Sequence, residues 1–158
     1  MRGLKSIFVI LTLAVIASPA AAQTASKLGQ HIAWATYSYN SNGGKVCYVL
    51  SVPESKQPPT LDHGNIYFFV SMKPGQNVAF EPQFVTAYTM AENSKVTVTI
   101  DGKDFKMFVR DKSAWLENAA EEPQLVAAMK AGSAMSVAAQ SRRGNKTSYS
   151  FSLKGITA

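Results

Sequence analysis

Residues 96–115, VTVTIDGKDFKMFVRDKSAW, decide the fold. Val96, Val98 and Ile100 alternate with Thr97 and Thr99, Asp101-Gly102 follows, and Phe105, Met107 and Val109 then alternate with Asp104, Lys106 and Phe108. A period of two is the signature of a strand with one buried face. Asp-Gly tolerates positive φ at both central positions of a type I′ turn, whose twist suits the strands on either side. A two-residue loop pairs Ile100 with Lys103, Val98 with Phe105 and Val96 with Met107, so both apolar sets fall on one face. A register slip of one residue would turn that face to water. Each large apolar side chain so exposed would lose about 1.5–3 kcal/mol of burial.

Working outward, the same pattern recurs twice. HIAWATYSY (31–39) has high β-propensity, and Ser41-Asn42-Gly43-Gly44 leads into KVCYVLSV (45–52). A turn at Asn42-Gly43 sets Tyr37 opposite Tyr48 and Ser38 opposite Cys47. Trp34, Thr36, Cys47 and Val49 then share one side, and Tyr37, Tyr39, Val46, Tyr48 and Leu50 the other. A third hairpin runs from Met135 to Ser141, turns around Arg142-Arg143-Gly144-Asn145 and returns over Thr147 to Leu153, with Tyr149, Phe151 and Leu153 inward.

Between the hairpins, PESKQPPTLDHG (53–64) has three prolines and no periodicity, which reads as a loop. IYFFVSM (66–72) is a dense apolar run of strand length, read as a central strand buried on both sides. Residues 78–90 begin irregularly around Pro82 and continue as a strand through Phe84 to Met90, with the proline pointing to an edge. Pro123 suits the first turn of a helix, Leu125, Val126 and Met129 mark its apolar face, and Gly132 suits a left-handed stop. Residues 23–28 are small and polar and read as frayed. The expected fold is therefore all-β: a sandwich of about seven or eight antiparallel strands with one short helix, a partly closed barrel being the alternative.

The first 22 residues read as an address. Arg2 and Lys5 precede an apolar run over Ile7–Ile16, and Pro19 precedes Ala20-Ala21-Ala22, a small-x-small cleavage signature. Cleavage after Ala22 removes residues 1–22 from the 158-residue chain and leaves 136, an ordinary size for one domain. Sixteen basic and ten acidic residues give +6, and loss of Arg2 and Lys5 leaves +4. The basic groups Lys103, Lys106, Arg110 and Lys112, and Arg142, Arg143 and Lys146, read as solvated surface in preference to an anion-binding patch. The location implied is periplasmic or secreted. Export and scattered charge argue against a nucleic-acid partner.

Candidate chemistry is sparse. Cys47 is the lone cysteine, so no intrachain disulfide forms, and its place in an apolar strand reads as inert packing. His31 and His63 stand in no metal-ligand spacing. Asp62-His63 reads as a solvated loop pair, and Glu121-Glu122 as acids at a helix start. No nucleophile elbow, phosphate loop or dinucleotide fingerprint is present. No catalytic, cofactor-binding or metal-binding residue is assigned, and no cofactor is expected.

Five segments carry a family resemblance: Ile100-Asp101-Gly102 with Phe105 and Phe108 after it, Ala114-Trp115, the run Leu125 to Gly132, Ser141-Arg142-Arg143-Gly144, and Ser152-Leu153-Lys154-Gly155. In order and spacing, from about Trp34 to Gly155, the chain resembles the invasion associated locus B family of proteobacterial exported proteins. The resemblance implies a β-rich, non-enzymatic envelope protein, associated with the outer membrane or host-cell invasion and partnered by another envelope or host protein. It brings no catalytic residues. The chain departs from the family where many relatives have a second cysteine near the first hairpin, and where a Gly-Tyr-Pro is replaced by Ala87-Tyr88-Thr89. Competing readings are a small-molecule or glycan binder with an aromatic cleft, and a hydrolase built on Cys47 or His63.

Overall fold

The structure, a computed structural model, describes residues 24–76 and 78–158; the expected leader, residues 1–22, lies outside them. Among the described residues eleven strands and one α-helix form: β1 (Ser26–His31), β2 (Trp34–Ser41), β3 (Gly44–Ser51), β4 (Ser55–Gln57), β5 (Ile66–Lys73), β6 (Val78–Thr86), β7 (Lys95–Ile100), β8 (Lys103–Arg110), β9 (Ser113–Leu116), α1 (Glu122–Ala131), β10 (Ala134–Gln140) and β11 (Lys146–Ser152). They make one antiparallel sheet in the order β1-β2-β3-β5-β6-β9-β8-β7-β10-β11-β4. The sheet is not closed, since β1 and β4 each have a neighbour on one side only. It bends back on itself instead. Phe68 of β5 meets Phe151 of β11 at 6.0 Å between ring centroids, and Phe84 of β6 meets Tyr149 of β11 at 5.5 Å. Two apolar faces laid together are a β-sandwich, the class expected.

The hairpin registers are those the sequence predicts. Val96 lies opposite Met107, Val98 opposite Phe105 and Ile100 opposite Lys103. Asp101 (φ 49°) and Gly102 (φ 78°) hold the two positive φ values of the turn. Val96, Val98, Ile100, Phe105 and Met107 are all buried in the core. Tyr37 lies opposite Tyr48 and Ser38 opposite Cys47. In β11, Tyr149, Phe151 and the following Leu153 are buried. The helix closes the core with Leu125, Val126 and Met129.

Several expectations are corrected. Of residues 23–28, expected to be frayed, 26–28 belong to β1, held by backbone pairing with β2, which polar side chains do not prevent. The strand expected over 31–39 is two strands, broken at a turn where Ile32 takes φ 54°. Within the proline-rich stretch, Ser55–Gln57 pairs with β11 as strand β4. The turn at Asp111, with φ 53°, adds β9. These short strands raise the count from seven or eight to eleven. β5 is interior and buries Ile66, Phe68 and Val70, yet its other face stays half-buried, so burial is one-sided. β6 ends at Thr86, and its segment around Pro82 is flanked by β5 alone because β9 pairs only Gln83–Val85. Gly132 is extended (φ −80°, ψ 169°), not left-handed. A glycine fits there because a Cβ would stand 2.7 Å from Ile100 Cγ2.

Candidate ligand-binding cleft

Four connections meet at one side of the sandwich: the stretch after β4 (Leu61, Asp62, His63), the β6–β7 link (Ala87, Tyr88, Thr89), the β8–β9 turn (Lys112) and the β10–β11 turn (Ser141–Asn145). Together with Thr147 they line a cleft of about 540 Å³. Main-chain bonds tie the walls together. Arg142 N–H donates to the Thr89 carbonyl (2.9 Å), Met90 N–H to Asp111 (2.9 Å) and Thr86 N–H to Lys112 (2.9 Å). Gly144, at φ 86°, closes the arginine turn by donating its N–H to the Ser141 carbonyl at 2.8 Å.

The base of the cleft is a buried hydrogen-bonded row. His63 is only 6% exposed, which corrects the expectation of a solvated Asp62-His63 pair. Its Nε2 lies 2.9 Å from the Pro58 carbonyl and its Nδ1 2.9 Å from the Tyr149 hydroxyl. A carbonyl can only accept, so Nε2 carries the proton and donates. In the neutral ring Nδ1 then accepts from Tyr149. The Tyr149 oxygen is met by Tyr88 (2.8 Å), and Tyr88 by Thr147 Oγ1 (2.8 Å), which also donates to the Ala139 carbonyl at 3.3 Å, so the row runs Thr147, Tyr88, Tyr149, His63. Burial pushes the Tyr149 hydroxyl well above the ordinary phenol range, with Thr147 opposing and the Tyr88 bond adding to it, which keeps that hydroxyl protonated. Asp62 turns away from His63 to accept from Gly64 N–H at 2.9 Å.

A second feature lies on the outer face of β2, β3 and β5. The Tyr37 ring stacks on Tyr48 at 5.2 Å, Tyr39 and Phe69 meet Tyr48 at 6.2 and 5.8 Å, and Tyr67 meets Phe69 at 5.8 Å. Ala35 and Val46 are buried outside the main core, on the same side of β2 and β3 as these rings. Burial, and then the neighbouring hydroxyls of Tyr37 and Tyr39, raise the pKa of Tyr48. Val52, 55% exposed, lines a shallow hollow beside Tyr67 and Phe69.

Cys47 is half-buried and outside the core cluster, not packed inertly within it. It lines a third, apolar hollow with Met72, Phe80, Val126 and Ile156. Cys47 and His63 therefore line different cavities. Lys103 is engaged by Gln124 of α1 and by the Phe105 ring, and Lys106 by Thr97 and Asp104 of its own hairpin. Lys112 parts from that group and joins Arg142 and Arg143 around the cleft. Among the described residues no group of three or more His, Cys, Asp or Glu is placed to hold a metal ion. Nor is any described helix long and apolar enough to cross a membrane.

A family model described as invasion associated locus B (IalB) protein matches residues 34–158, from the first residue of β2 to the last of the chain. No curated protein matches. The crystal structure of invasion associated protein b from Bartonella henselae is similar at 12% identity, over 82% of this chain and 90% of that one, with a TM-score of 0.56. Likeness at that identity speaks for the fold alone. The family model covers well over half of the chain, and the chain belongs to the invasion associated locus B family.

Proposed function

We propose that the chain is an exported, non-enzymatic protein of the cell envelope that works by contact with another envelope or host protein. The separation of Cys47 from His63 carries the non-enzymatic part. A cysteine nucleophile needs a base within hydrogen-bond reach, yet these two side chains line different cavities, and both His63 nitrogens are engaged by Pro58 and Tyr149. Export is supported by the leader pattern of residues 1–22 and by the family. A host-facing role is supported by the family description, invasion associated. Exposed apolar side chains, Ile32 at 76% and Val52 beside the tyrosine band, supply surface of the kind that marks protein contacts.

The test joins intact mass with crosslinking. The processed protein should begin at Gln23 and fractionate with the envelope or the periplasm. Crosslinking in intact cells should yield a protein adduct that weakens when Val52→Glu interrupts the outer face. A mature mass that includes residues 1–22 would overturn export. Ester or amide hydrolysis abolished by Cys47→Ser or His63→Ala would overturn the non-enzymatic reading.

A small-molecule binder is the second reading, favoured by one observation: the cleft over His63 has preformed walls and falls within the usual volume range of ligand sites.

A further inference from the structure

We infer that the cleft over His63 is a binding site for a small acid, a molecule of about sugar size that carries a carboxylate or phosphate group. The reasons are charge, fit and rigidity. Three cationic side chains, Lys112, Arg142 and Arg143, line the cleft against one carboxylate, Asp62. Asp62 is already held by the Gly64 N–H. The ion pairs among the described residues are Lys73–Glu81, Lys95–Glu117 and Lys106–Asp104, so none of the three cleft cations is ion-paired, and the nearby Asp111 carboxylate accepts from Thr89 Oγ1 at 2.9 Å. Arginine presents its donors as a planar fork that matches the two oxygens of a carboxylate or phosphate. Two arginines on one turn, with a lysine from the β8–β9 turn, therefore surround an oxyanion from two elements.

The cations do not depend on loose loops for their position. Arg142 is pinned through its own N–H to Thr89, and the turn that carries both arginines is closed by Gly144 N–H to Ser141 and by Ser141 N–H to Asn145. Lys112 sits on a turn whose carbonyl accepts from Thr86 N–H. The main chain that carries the three cations is thus set before a ligand arrives, while their side chains stand exposed. Behind the cations, Tyr88 is engaged by Thr147 and Tyr149, His63 is engaged by Tyr149 and the Pro58 carbonyl, and Leu61 and Ala87 add apolar wall. The floor thus suits the body of the ligand, and the rim suits its charge. At about 540 Å³ the space takes a monosaccharide acid or phosphate and is far larger than a bare ion needs.

This inference deepens the binding reading, but the experiments fail separately, because the partner contact is probed on the outer face and the acid in the cleft. Glucuronate, glucose 6-phosphate, inorganic phosphate and glucose are titrated into the mature protein and followed by amide chemical shifts. Glucuronate or glucose 6-phosphate should shift residues of 61–63, 87–89 and 141–147 and bind at least about tenfold more tightly than glucose, and the gap should shrink as salt is raised. Arg142→Ala with Arg143→Ala should weaken the acid at least about tenfold, whereas Lys106→Ala, on the β7–β8 hairpin, should leave it unchanged. The two acids separate a carboxylate preference from a phosphate preference. Shifts from inorganic phosphate equal to those from glucose 6-phosphate would reduce the site to a bare-anion patch and overturn the inference. Glucose binding as tightly as the acids would also overturn it, and so would unchanged binding in the double variant.

Discussion

Replacing Tyr149 by Phe removes one oxygen from the base of the cleft and leaves the ring in place against Phe84. No cavity opens, so the loss is one of hydrogen bonding. Tyr88 keeps Thr147 as a partner at 2.8 Å, but His63 Nδ1 loses its donor. A buried acceptor left without a partner costs about 1–3 kcal/mol. For a domain of this size that corresponds to roughly 3–5 °C of Tm for each kcal/mol. The control is Tyr37→Phe on the half-exposed outer face, expected to stay within about 0.5 kcal/mol of the parent. Urea midpoints at pH 7 decide between them. A cycle with His63→Leu should show coupling of about 0.5–3 kcal/mol, because the two residues share the bond under test. Alkaline pH gives a second readout. The folded chain holds the Tyr149 proton above the pH at which the unfolded chain releases it, so the unfolded state binds fewer protons there. Stability of the parent therefore falls as pH rises past about 10, while the Phe variant lacks this decline and the gap between them narrows. Equal midpoints at pH 7, or an additive cycle, would refute the hydrogen-bonded row.

Gly102→Val isolates backbone strain, since a Cβ there would meet nothing within 4 Å while φ is +78°; it should cost about 1–3 kcal/mol. Lys106→Val, on the solvent side of the same hairpin, should stay within about 0.5 kcal/mol, and equal urea midpoints for the two would show the turn to be misassigned. Gly155→Ala should cost more than Gly102→Val, because a positive φ of 95° is joined by a Cβ placed 1.9 Å from the His31 carbonyl oxygen; a milder effect in thermal melts would mean that the C-terminal turn does not dock on the β1–β2 turn. Glu122→Gln should raise the urea midpoint at pH 7. Burial first, and then Glu81, raise the Glu122 pKa despite Lys73, so its charged form disfavours folding. The folded state binds the proton more tightly than the unfolded state, so stability falls as pH rises through the carboxylate range. The variant's advantage should shrink by about pH 4, and an advantage that stays constant with pH would contradict this assignment.

The parts of the fold that could be read from the sequence are those in which local rules agree. Asp101-Gly102 fixes a two-residue turn, and the alternation on both sides fixes which residues face inward, so the pairs from Val96–Met107 to Ile100–Lys103 follow from neighbours alone. β1 and β4 escape such rules. Their side chains are mostly polar and exposed, and what holds them is main-chain pairing, with β2 for one and with the distant β11 for the other. β4 follows β3 within a few residues yet joins the opposite edge of the sheet. Nothing between Val52 and Glu54 encodes that choice; it follows from the closure of the whole sandwich, where Glu54 N–H reaches the Ser150 carbonyl at 2.8 Å.

The cleft left fainter marks. Arg142 and Arg143 stand out as a pair, but proximity in sequence groups Lys112 with Lys103 and Lys106, whereas the turn at Asp111 sends it elsewhere. His63 sits in a segment without periodicity, and its partner Tyr149 lies 86 residues away, so no spacing could connect them. One signal was present. Alternation places Tyr149 on the inner face of β11 between Thr147 and Phe151, and a buried tyrosine must find a partner for its hydroxyl. That partner can come from across the sheet or from a loop folded over the ring. The structure uses His63 and Tyr88, both from connections. An inward tyrosine on a buried strand face is therefore a sequence-level pointer to a segment that returns to cover it, and in this chain the stretch that carries His63 does so and lines the cleft.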